Sequence, residues 1–156
     1  MSRGFGAAGL DQSRCPCGRG ASYGDCCGRL HQGKARAQTA EQLMRSRYSA
    51  YVMGEVEYLL TTHPDLRVPM VQRRRALRRS CRQTRWLGLT ILEVTGGGLQ
   101  DCEGTVCFEA QFSAGGRKGT LRETSLFQRG CHGQAGDGQE GDGQEGDWLY
   151  IRALEH

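Results

Sequence analysis

The chain has no long apolar run. Hydrophobic residues make up 37% of its 156 residues, and its uncharged apolar stretches are only a few residues long. A helix that crosses a bilayer needs about 20 mostly apolar residues, so we expect no membrane segment. Residues 1–12 also lack the apolar core of a secretory signal. We therefore expect a cytoplasmic protein that is long enough for one domain with a buried core.

Lysine and catalytic signatures are also scarce. Lys34 and Lys118 are the only lysines among 21 basic residues, so arginine carries almost all of the positive charge, and the formal net charge is +4. We identify no nucleophile elbow, which requires a strand-to-helix turn around its serine, and no His–Asp pair at a diagnostic spacing. These absences argue against catalysis, and we lean against an enzyme.

The chain divides into segments of different composition. Residues 1–13 are rich in Gly, Ala and Ser, and we expect a disordered lead-in. Residues 14–33 hold four of the eight cysteines but few aliphatic side chains, so this segment cannot fold by hydrophobic burial alone. Residues 39–153 carry the periodicity of a folded domain. Residues 154–156 look like the remnant of an affinity tag.

Three helices are predicted in the first half of this domain. Thr39 and Gln42 form a capping-box pattern at the start of the first helix, which carries apolar residues at helical spacing as far as Val52. Residues 55–62 predict a second short helix, and residues 68–81 predict a third. The buried stripe of the third helix is expected to consist of Met70, Leu77 and Cys81.

After Trp86 the hydrophobic period changes to two, which predicts strands. Residues 133–147 repeat Gly-Asp-Gly-Gln-Glu, and we expect a flexible acidic, glycine-rich loop there. Helices followed by antiparallel strands indicate an α+β domain with the helices packed on one face of the sheet. The predicted strands are Trp86–Val94, Thr105–Ser113, Lys118–Gln128 and Trp148–Arg152.

The clearest chemical signal is a cluster of four cysteines. Cys15 and Cys17 are separated by eight residues from the adjacent pair Cys26 and Cys27. Zinc prefers four such ligands in a tetrahedron, and neither close pair suits a disulfide. We predict one structural zinc ion per chain on these four thiolates, with His31 as an alternative to one of them. The remaining cysteines are dispersed, and Cys81 is expected in the core.

The motif Cys15-Pro-Cys17-Gly-Arg-Gly, followed by Cys26-Cys27-Gly, resembles the SEC-C motif. That motif is named from the C-terminal tail of the bacterial preprotein-translocase ATPase. The resemblance implies zinc on the four cysteines and a protein partner docked by the zinc knuckle. Arg19 stands where the family usually has Ser, but this position is not a ligand.

Three further stretches resemble the bacterial YchJ-type family: residues 39–52, 58–64 and 86–91. The resemblance covers about residues 14–153. It implies a domain of the nuclear transport factor 2-like kind, in which a cone of helices packs against a curved antiparallel sheet. The second, C-terminal metal motif of many members is missing here, and the acidic repeat is not part of the family pattern. No biochemical activity is assigned to the family.

The cone fold often houses a pocket, in which a histidine or a carboxylate could act as a base. His63 and Glu123 are the candidates, and we expect them to line a pocket together. Tyr48 and Tyr51 lie on the apolar stripe of the first helix and are expected in the core. Glu109 lies on the strand face opposite the apolar side chains, so it is expected to point away from the helices.

A second surface signal is a run of arginines. Eight arginines and no acidic residue lie between residues 67 and 85. On a helix, Arg74, Arg78 and Arg82 would form a basic face that could bind nucleic acid nonspecifically. The alternative is an ordinary solvated face, because aromatic side chains for base stacking are absent except for Trp86.

We therefore favour a zinc-binding interaction or adaptor module with the cone domain as its scaffold. One alternative is a small-molecule-binding domain or enzyme that uses the cone pocket. The other is a nucleic-acid accessory protein that uses the arginine face. A homodimer through the outer sheet face is expected by analogy with other cone folds.

Overall fold

The computed structural model describes residues 12–131 and 146–154. Most of the predicted lead-in (1–13), most of the acidic loop (133–147) and part of the predicted tag remnant (154–156) lie outside these residues. Every helix within the described ranges is too short or too polar to span a bilayer.

Helices precede strands along the chain, which confirms the predicted α+β class. The helical part contains a 3₁₀ turn (Tyr23–Asp25), α1 (Cys27–His31), α2 (Ala40–Met53), α3 (Val56–Thr61) and α4 (Met70–Gln83). The strands that follow are β1 (Thr84–Gly96), β2 (Glu103–Ala114), β3 (Arg117–Gln128) and β4 (Leu149–Leu154).

The four strands form one antiparallel meander in the order β1-β2-β3-β4. Gly115 and Gly116 connect β2 to β3, with φ angles of 59° and 79°. A two-residue hairpin turn with positive φ at both positions matches the right-handed twist of the strands, and glycine adopts these angles without strain. The tight turn therefore fixes the β2–β3 register.

The sheet bends where β1 and β2 lose their regular register. The pairing shifts between Trp86 and Gly88 and again between Ile91 and Glu93. An extra residue on one strand locally increases its twist and bends it. These shifts let the long β1–β2 ribbon curve around the helices.

The main core lies between α2 and the inner face of the sheet. Its α2 residues repeat every three to four positions, whereas its β2 residues alternate, as expected for a helix packed on a half-buried strand. Trp148 closes the core, and its Nε1 donates a hydrogen bond to the Gln38 carbonyl at 3.1 Å. The buried members are Ala40, Leu43, Met44, Tyr48, Val106, Phe108, Ala110, Phe127 and Trp148.

The start of α2 contains half of the predicted capping box. The Thr39 hydroxyl accepts a hydrogen bond from the Gln42 N–H at 3.0 Å. The Gln42 side chain accepts instead from the Gln38 N–H at 2.6 Å, one residue before the cap. Both bonds satisfy backbone donors near the start of the helix and fix where it begins.

The prediction of a buried stripe on α4 is wrong. The helix forms close to its predicted position, but Met70 is 48% exposed, and Leu77 and Cys81 are only half-buried. The reason is the placement of α4 at the margin of the domain, where it packs on α3 and the start of β1 rather than across the sheet. Cys81 is therefore not a core residue.

Cys102 and Cys131, which are dispersed in the sequence, form a disulfide with Cα atoms 5.6 Å apart. They flank the β2–β3 hairpin at the end where Glu103 pairs with Gln128. The disulfide therefore fastens the open end of the hairpin, opposite its tight turn. Nothing in the spacing of the two cysteines predicts this pairing.

Removing this disulfide should destabilise the protein. We expect Cys131→Ser to lower the free energy of unfolding by about 3–4 kcal/mol, because the unfolded chain gains the freedom of a loop of 29 residues. Denaturant unfolding would measure the change, with Cys107→Ser as the control, since Cys107 is a free cysteine. Equal stability of the two variants would contradict the prediction.

Candidate metal centre

The structure brings the four predicted cysteines together in the knuckle (residues 14–33). The Sγ atoms of Cys15, Cys17, Cys26 and Cys27 all lie within 4.8 Å of one another. None of the four is in a disulfide. Three are buried, and Cys26 is half-buried.

Tight turns bring the first two cysteines to the second pair. Gly18 and Gly20 adopt φ angles of 86° and 95°, which side chains rarely tolerate, and the Cys15 N–H donates to the Ala21 carbonyl at 2.9 Å. The chain therefore reverses directly after Cys17. It then enters the 3₁₀ turn that leads to the second cysteine pair.

Gly28 allows the second pair to approach the turn. A Cβ atom at this position would lie 2.6 Å from the Tyr23 carbonyl oxygen. Since real Cβ atoms do not approach oxygen so closely, only glycine fits there without a backbone shift. The glycine after the adjacent cysteines thus has a packing role.

The knuckle packs directly on α2. Nη1 of Arg45 donates to the Cys17 carbonyl at 2.6 Å, and the Cys15 thiol lies 3.5 Å from the Ser49 hydroxyl. Met53 also packs against the cysteine cluster. The cysteine centre therefore joins the knuckle to the first helix of the cone domain (39–153).

His31 is not placed as a ligand, which corrects the alternative considered from the sequence. Its Nε2–H donates to the Ser46 carbonyl at 2.8 Å, and its Nδ1 accepts from the Tyr23 hydroxyl at 2.6 Å. Both ring nitrogens are thus engaged, and burial lowers the pKa of His31, which favours the neutral ring. His31 links the knuckle to α2 instead.

Burial and mutual hydrogen bonds shift the pKa values of Cys15, Cys26 and Cys27. Hydrogen bonds from Cys17 and Cys27 hold the pKa of Cys15 far below its usual range. Burial raises the pKa of Cys26 to about 12, and the hydrogen bond to Cys15 raises the pKa of Cys27. A cation bound among the sulfurs would favour release of the protons that Cys26 and Cys27 hold.

The donor set fits a tetrahedral metal site. Four sulfurs at the ~2.3 Å bond length of a zinc thiolate would be separated by about 3.8 Å. The observed Cys17–Cys26 separation is 3.6 Å, and the other sulfurs are within 4.8 Å. Four protein ligands would leave no position for water or substrate, so such an ion would be structural.

A separate cavity of about 230 Å³ lies between α2 and the inner face of the sheet. Glu123 lines it, and its Oε1 accepts hydrogen bonds from Ser125 at 2.7 Å and from the Tyr150 hydroxyl at 3.1 Å. Arg47 of α2 also lines the cavity. The structure thus places one of the two catalytic candidates in a cavity of the cone.

His63 does not share this cavity with Glu123. Its Nδ1 donates to the Tyr150 carbonyl at 2.8 Å, and its ring packs edge-on against the Tyr150 ring. The His63 carbonyl accepts a hydrogen bond from Arg73. The expectation that the two candidates line one pocket is therefore wrong, because His63 is held by the β4 backbone and is not among the residues that line the cavity.

The other cone residues lie largely where the strand and helix patterns place them. Tyr48 is buried, and Tyr51 is half-buried and lines the cavity. Glu109 lies on the outer face of β2, where its carboxylate is 3.7 Å from Arg122. The outward orientation expected for Glu109 is thus confirmed.

Arg47 was not singled out from the sequence. It is only 7% exposed, and Nη1 donates to the Leu59 carbonyl at 3.0 Å and to the Thr62 hydroxyl at 2.6 Å. A signal was available, since Arg47 follows buried Leu43 by four positions on the core-facing stripe of α2. A charged residue at such a position is rare unless it has partners.

The arginine face forms along α4, but not all of its members are available. Arg78 and Arg82 are exposed, whereas Arg74 donates two hydrogen bonds to the Glu57 carboxylate at 2.7 and 3.0 Å. Together with Val71 and Arg75, these arginines line a shallow groove of about 310 Å³. Nucleic-acid binding through this groove stays a prediction.

For an RNA-binding face, we expect replacement of Arg74, Arg78 and Arg82 by alanine to weaken binding at least about tenfold at low salt, because phosphate contacts release counterions. Fluorescence anisotropy with a short single-stranded RNA would measure the affinity across a salt series. A variant that loses three exposed arginines of the sheet controls for net charge. Equal losses in both variants would assign the effect to charge alone. The control positions are Arg117, Arg122 and Arg152.

Comparisons with known proteins agree with this architecture. A family model described as "YchJ, middle NTF2-like domain" matches residues 39–153. The UPF0225 protein SCO1677 of Streptomyces coelicolor is 46% identical over 116 residues, which covers 74% of this chain and 85% of that protein. The UPF0225 protein RSc0270 of Ralstonia nicotianae is 45% identical over 139 residues, which covers 88% of each protein.

Two solved structures are also similar. The solution structure of RPA3114, a SEC-C motif containing protein from Rhodopseudomonas palustris, has a TM-score of 0.67 and 28% identity, and the match covers 91% of this chain and 98% of that one. The crystal structure of a SEC-C motif containing protein from Psychrobacter arcticus has a TM-score of 0.71 and 26% identity, covering 92% and 82%.

Proposed function

Because the chain belongs to the YchJ family, in which an N-terminal SEC-C motif precedes a nuclear transport factor 2-like domain, we propose that it is a zinc-binding interaction module. In this proposal the knuckle holds one structural zinc ion and docks a protein partner, while the cone domain is the scaffold. The observation that carries the proposal is the buried cluster of four thiols, all within 4.8 Å of one another.

The chemistry of the donors supports zinc. Thiolates are soft ligands, and a tetrahedral set of four is typical of structural zinc or iron–sulfur sites. Cys15, Cys17, Cys26 and Cys27 would hold the ion, which would cross-link the two halves of the knuckle. Because no coordination position stays open, the ion would stabilise structure rather than activate water.

The outer surface of the knuckle supports a partner with acidic groups. Arg14, Arg19 and Arg29 are exposed around the cysteine cluster, and Asp25 is the exposed acid among them. The inner side of the knuckle is occupied by α2, so a partner would meet this basic outer side. Charge complementarity of this kind favours association and selects partners.

Native mass spectrometry of protein purified at low salt without added metal tests the zinc assignment. We expect one zinc ion per chain, and the same spectrum reports whether the protein forms the homodimer predicted by analogy. A chain without metal and with reduced cysteines in the knuckle would contradict the assignment. An iron–sulfur mass would replace zinc while keeping the four ligands.

Site-specific crosslinking in cells tests the partner. A photoreactive residue in place of Arg19 should give a defined crosslinked protein, and the product should disappear when Cys17→Ser is added. The same residue in place of Leu66, which is fully exposed on the cone domain, is the matched control. Identical products from both positions, or products that survive loss of the metal ligand, would contradict docking by the knuckle.

A further inference from the structure

The cone domain contains a buried positive charge without an acidic partner. Within residues 12–131 and 146–154, no carboxylate lies within ion-pair distance of Arg47, although this side chain is only 7% exposed. Nη1 donates both of the hydrogen bonds that its guanidinium makes within these residues. Its Cζ lies 4.9 Å from the centre of the Tyr150 ring. Burial of a charge is costly unless it is paired, so Arg47 has unused capacity to bind an anion.

Arg47 is one of twelve residues that line the cavity, and five of the twelve are aromatic. Tyr48, Tyr51, Trp86 and Phe108 contribute to its walls, as does Tyr150. Its volume of about 230 Å³ equals the share of about eight water molecules in the liquid. This is room for one six-membered ring with two substituents, and flat apolar walls favour a planar ring.

The cavity is also lined by an acidic side chain, whose oxygens accept hydrogen bonds where Arg47 donates them. Glu123 uses Oε1 to accept hydrogen bonds from Ser125 and Tyr150. No hydrogen bond to Oε2 occurs in the described part of the chain, so this oxygen can accept from a ligand donor. Trp86 also lines the cavity, and its indole N–H is a buried donor without a partner in the described part of the chain.

We propose that this cavity binds a small aromatic carboxylic acid that carries a ring hydroxyl or amino group. The ligand's carboxylate pairs with Arg47, its ring lies between the aromatic walls, and its donor bonds to Glu123. The two charged groups come from α2 and β3, so they select a ligand with an anionic end and a donor end. This site is separate from the cysteine cluster and does not depend on the knuckle's function.

Isothermal titration of the full chain with 4-hydroxybenzoate tests the proposal. We expect one site per chain with a Kd below about 1 mM, which a ligand of about ten non-hydrogen atoms can reach. Quenching of Trp86 fluorescence should follow the same isotherm. No heat and no fluorescence change up to about 5 mM of 4-hydroxybenzoate or 4-aminobenzoate would overturn the proposal.

Two analogues of 4-hydroxybenzoate test the two ends of the ligand without altering the protein. 4-Hydroxybenzamide keeps the shape but lacks the negative charge, and benzoate lacks the ring donor. Each should bind about tenfold more weakly or worse, because the amide loses the charge pairing with Arg47 and benzoate loses the hydrogen bond to Glu123. If the amide binds as tightly as the acid, pairing with Arg47 is wrong.

Glu123→Gln should weaken the binding of 4-hydroxybenzoate about tenfold. It should leave the affinity for benzoate unchanged, because benzoate lacks the ring donor that bonds to Glu123. Glutamine keeps an acceptor oxygen for Ser125 and Tyr150, so the fold should persist, and thermal unfolding verifies this. Glu109→Gln is the matched control, since it removes the same charge from the outer face of β2. Equal effects of the two variants would overturn the assignment of Glu123.

Discussion

Replacing Cys17 by serine should abolish metal binding and unfold the knuckle while the cone domain keeps its fold. Cys17 is fully buried, it is one of four ligands, and its carbonyl accepts the hydrogen bond from Arg45 that fixes the knuckle on α2. Structural zinc contributes on the order of 10 kcal/mol to the folding of small metal-bound modules. With so few aliphatic residues, the knuckle has no other source of comparable stability.

The cone should survive because its core is separate. The buried residues around the cysteines form one cluster, and the residues between α2 and the sheet form another. The cone loses the hydrogen bonds of Arg45, Ser46 and Ser49 with the knuckle and the packing of Met53 on the cysteine cluster. This should cost about 2–4 kcal/mol. Native mass spectrometry reports the zinc content of the knuckle. Near-ultraviolet circular dichroism reports the tertiary structure of the cone domain.

Cys107→Ser is the control for the metal-site variant. Cys107 is also a free cysteine, but it lies half-buried on β2 and outside the cluster. The Cys107→Ser variant should keep one zinc ion per chain and lose little stability. Full zinc retention in Cys17→Ser would contradict the four-ligand assignment, and loss of the whole tertiary spectrum would show that the cone depends on the knuckle.

The substitution Gly104→Ala should destabilise the cone by more than about 3 kcal/mol, because the new Cβ overlaps backbone atoms. It would lie 2.4 Å from the Cα and 2.5 Å from the nitrogen of Gly97, on the neighbouring strand connection. Gly97 cannot move away freely. Its N–H donates to the Glu103 carbonyl at 3.0 Å, and its carbonyl accepts from the Ala40 N–H at 2.9 Å.

Denaturant unfolding would measure the loss, and zinc content should not change because this site is part of the cone. Gly130→Ala is the matched control, since its φ is not positive and a Cβ there meets nothing within 4 Å. We expect the control to stay within about 0.5 kcal/mol of the parent. A Gly104→Ala protein as stable as the control would show that the β1–β2 end does not pack on α2 as described.

Local patterns predicted the parts of the protein that depend on near neighbours in sequence. The alternation in Thr105–Ser113 gave the buried face of β2 and the outward orientation of Glu109. The spacing of the four cysteines, with glycines able to adopt positive φ between them, anticipated the cluster. These features require only a turn or a strand, so the chain encodes them over a few residues.

The same reasoning failed where a result depends on which elements meet. The apolar positions of α4 suggested a buried stripe, but its place at the domain margin leaves Met70 exposed. Likewise, both ring nitrogens of His31 were compatible with metal until the packing of α2 gave one of them the Ser46 carbonyl. A periodic pattern shows which face is apolar, but not whether another element covers it.

By itself the sequence determined the order of helices and strands, the four thiols and the family, because these follow from local spacing and motif. Only the tertiary structure decided the cavity. Arg47, Glu123 and Tyr150 come from α2, β3 and β4, and the Tyr150 hydroxyl donates to Glu123 although Tyr150 itself pairs with Phe127. The tertiary structure also pairs Cys102 with Cys131 and separates His63 from Glu123. Contacts between residues so far apart in sequence depend on how the sheet closes against the helices, which no local pattern encodes.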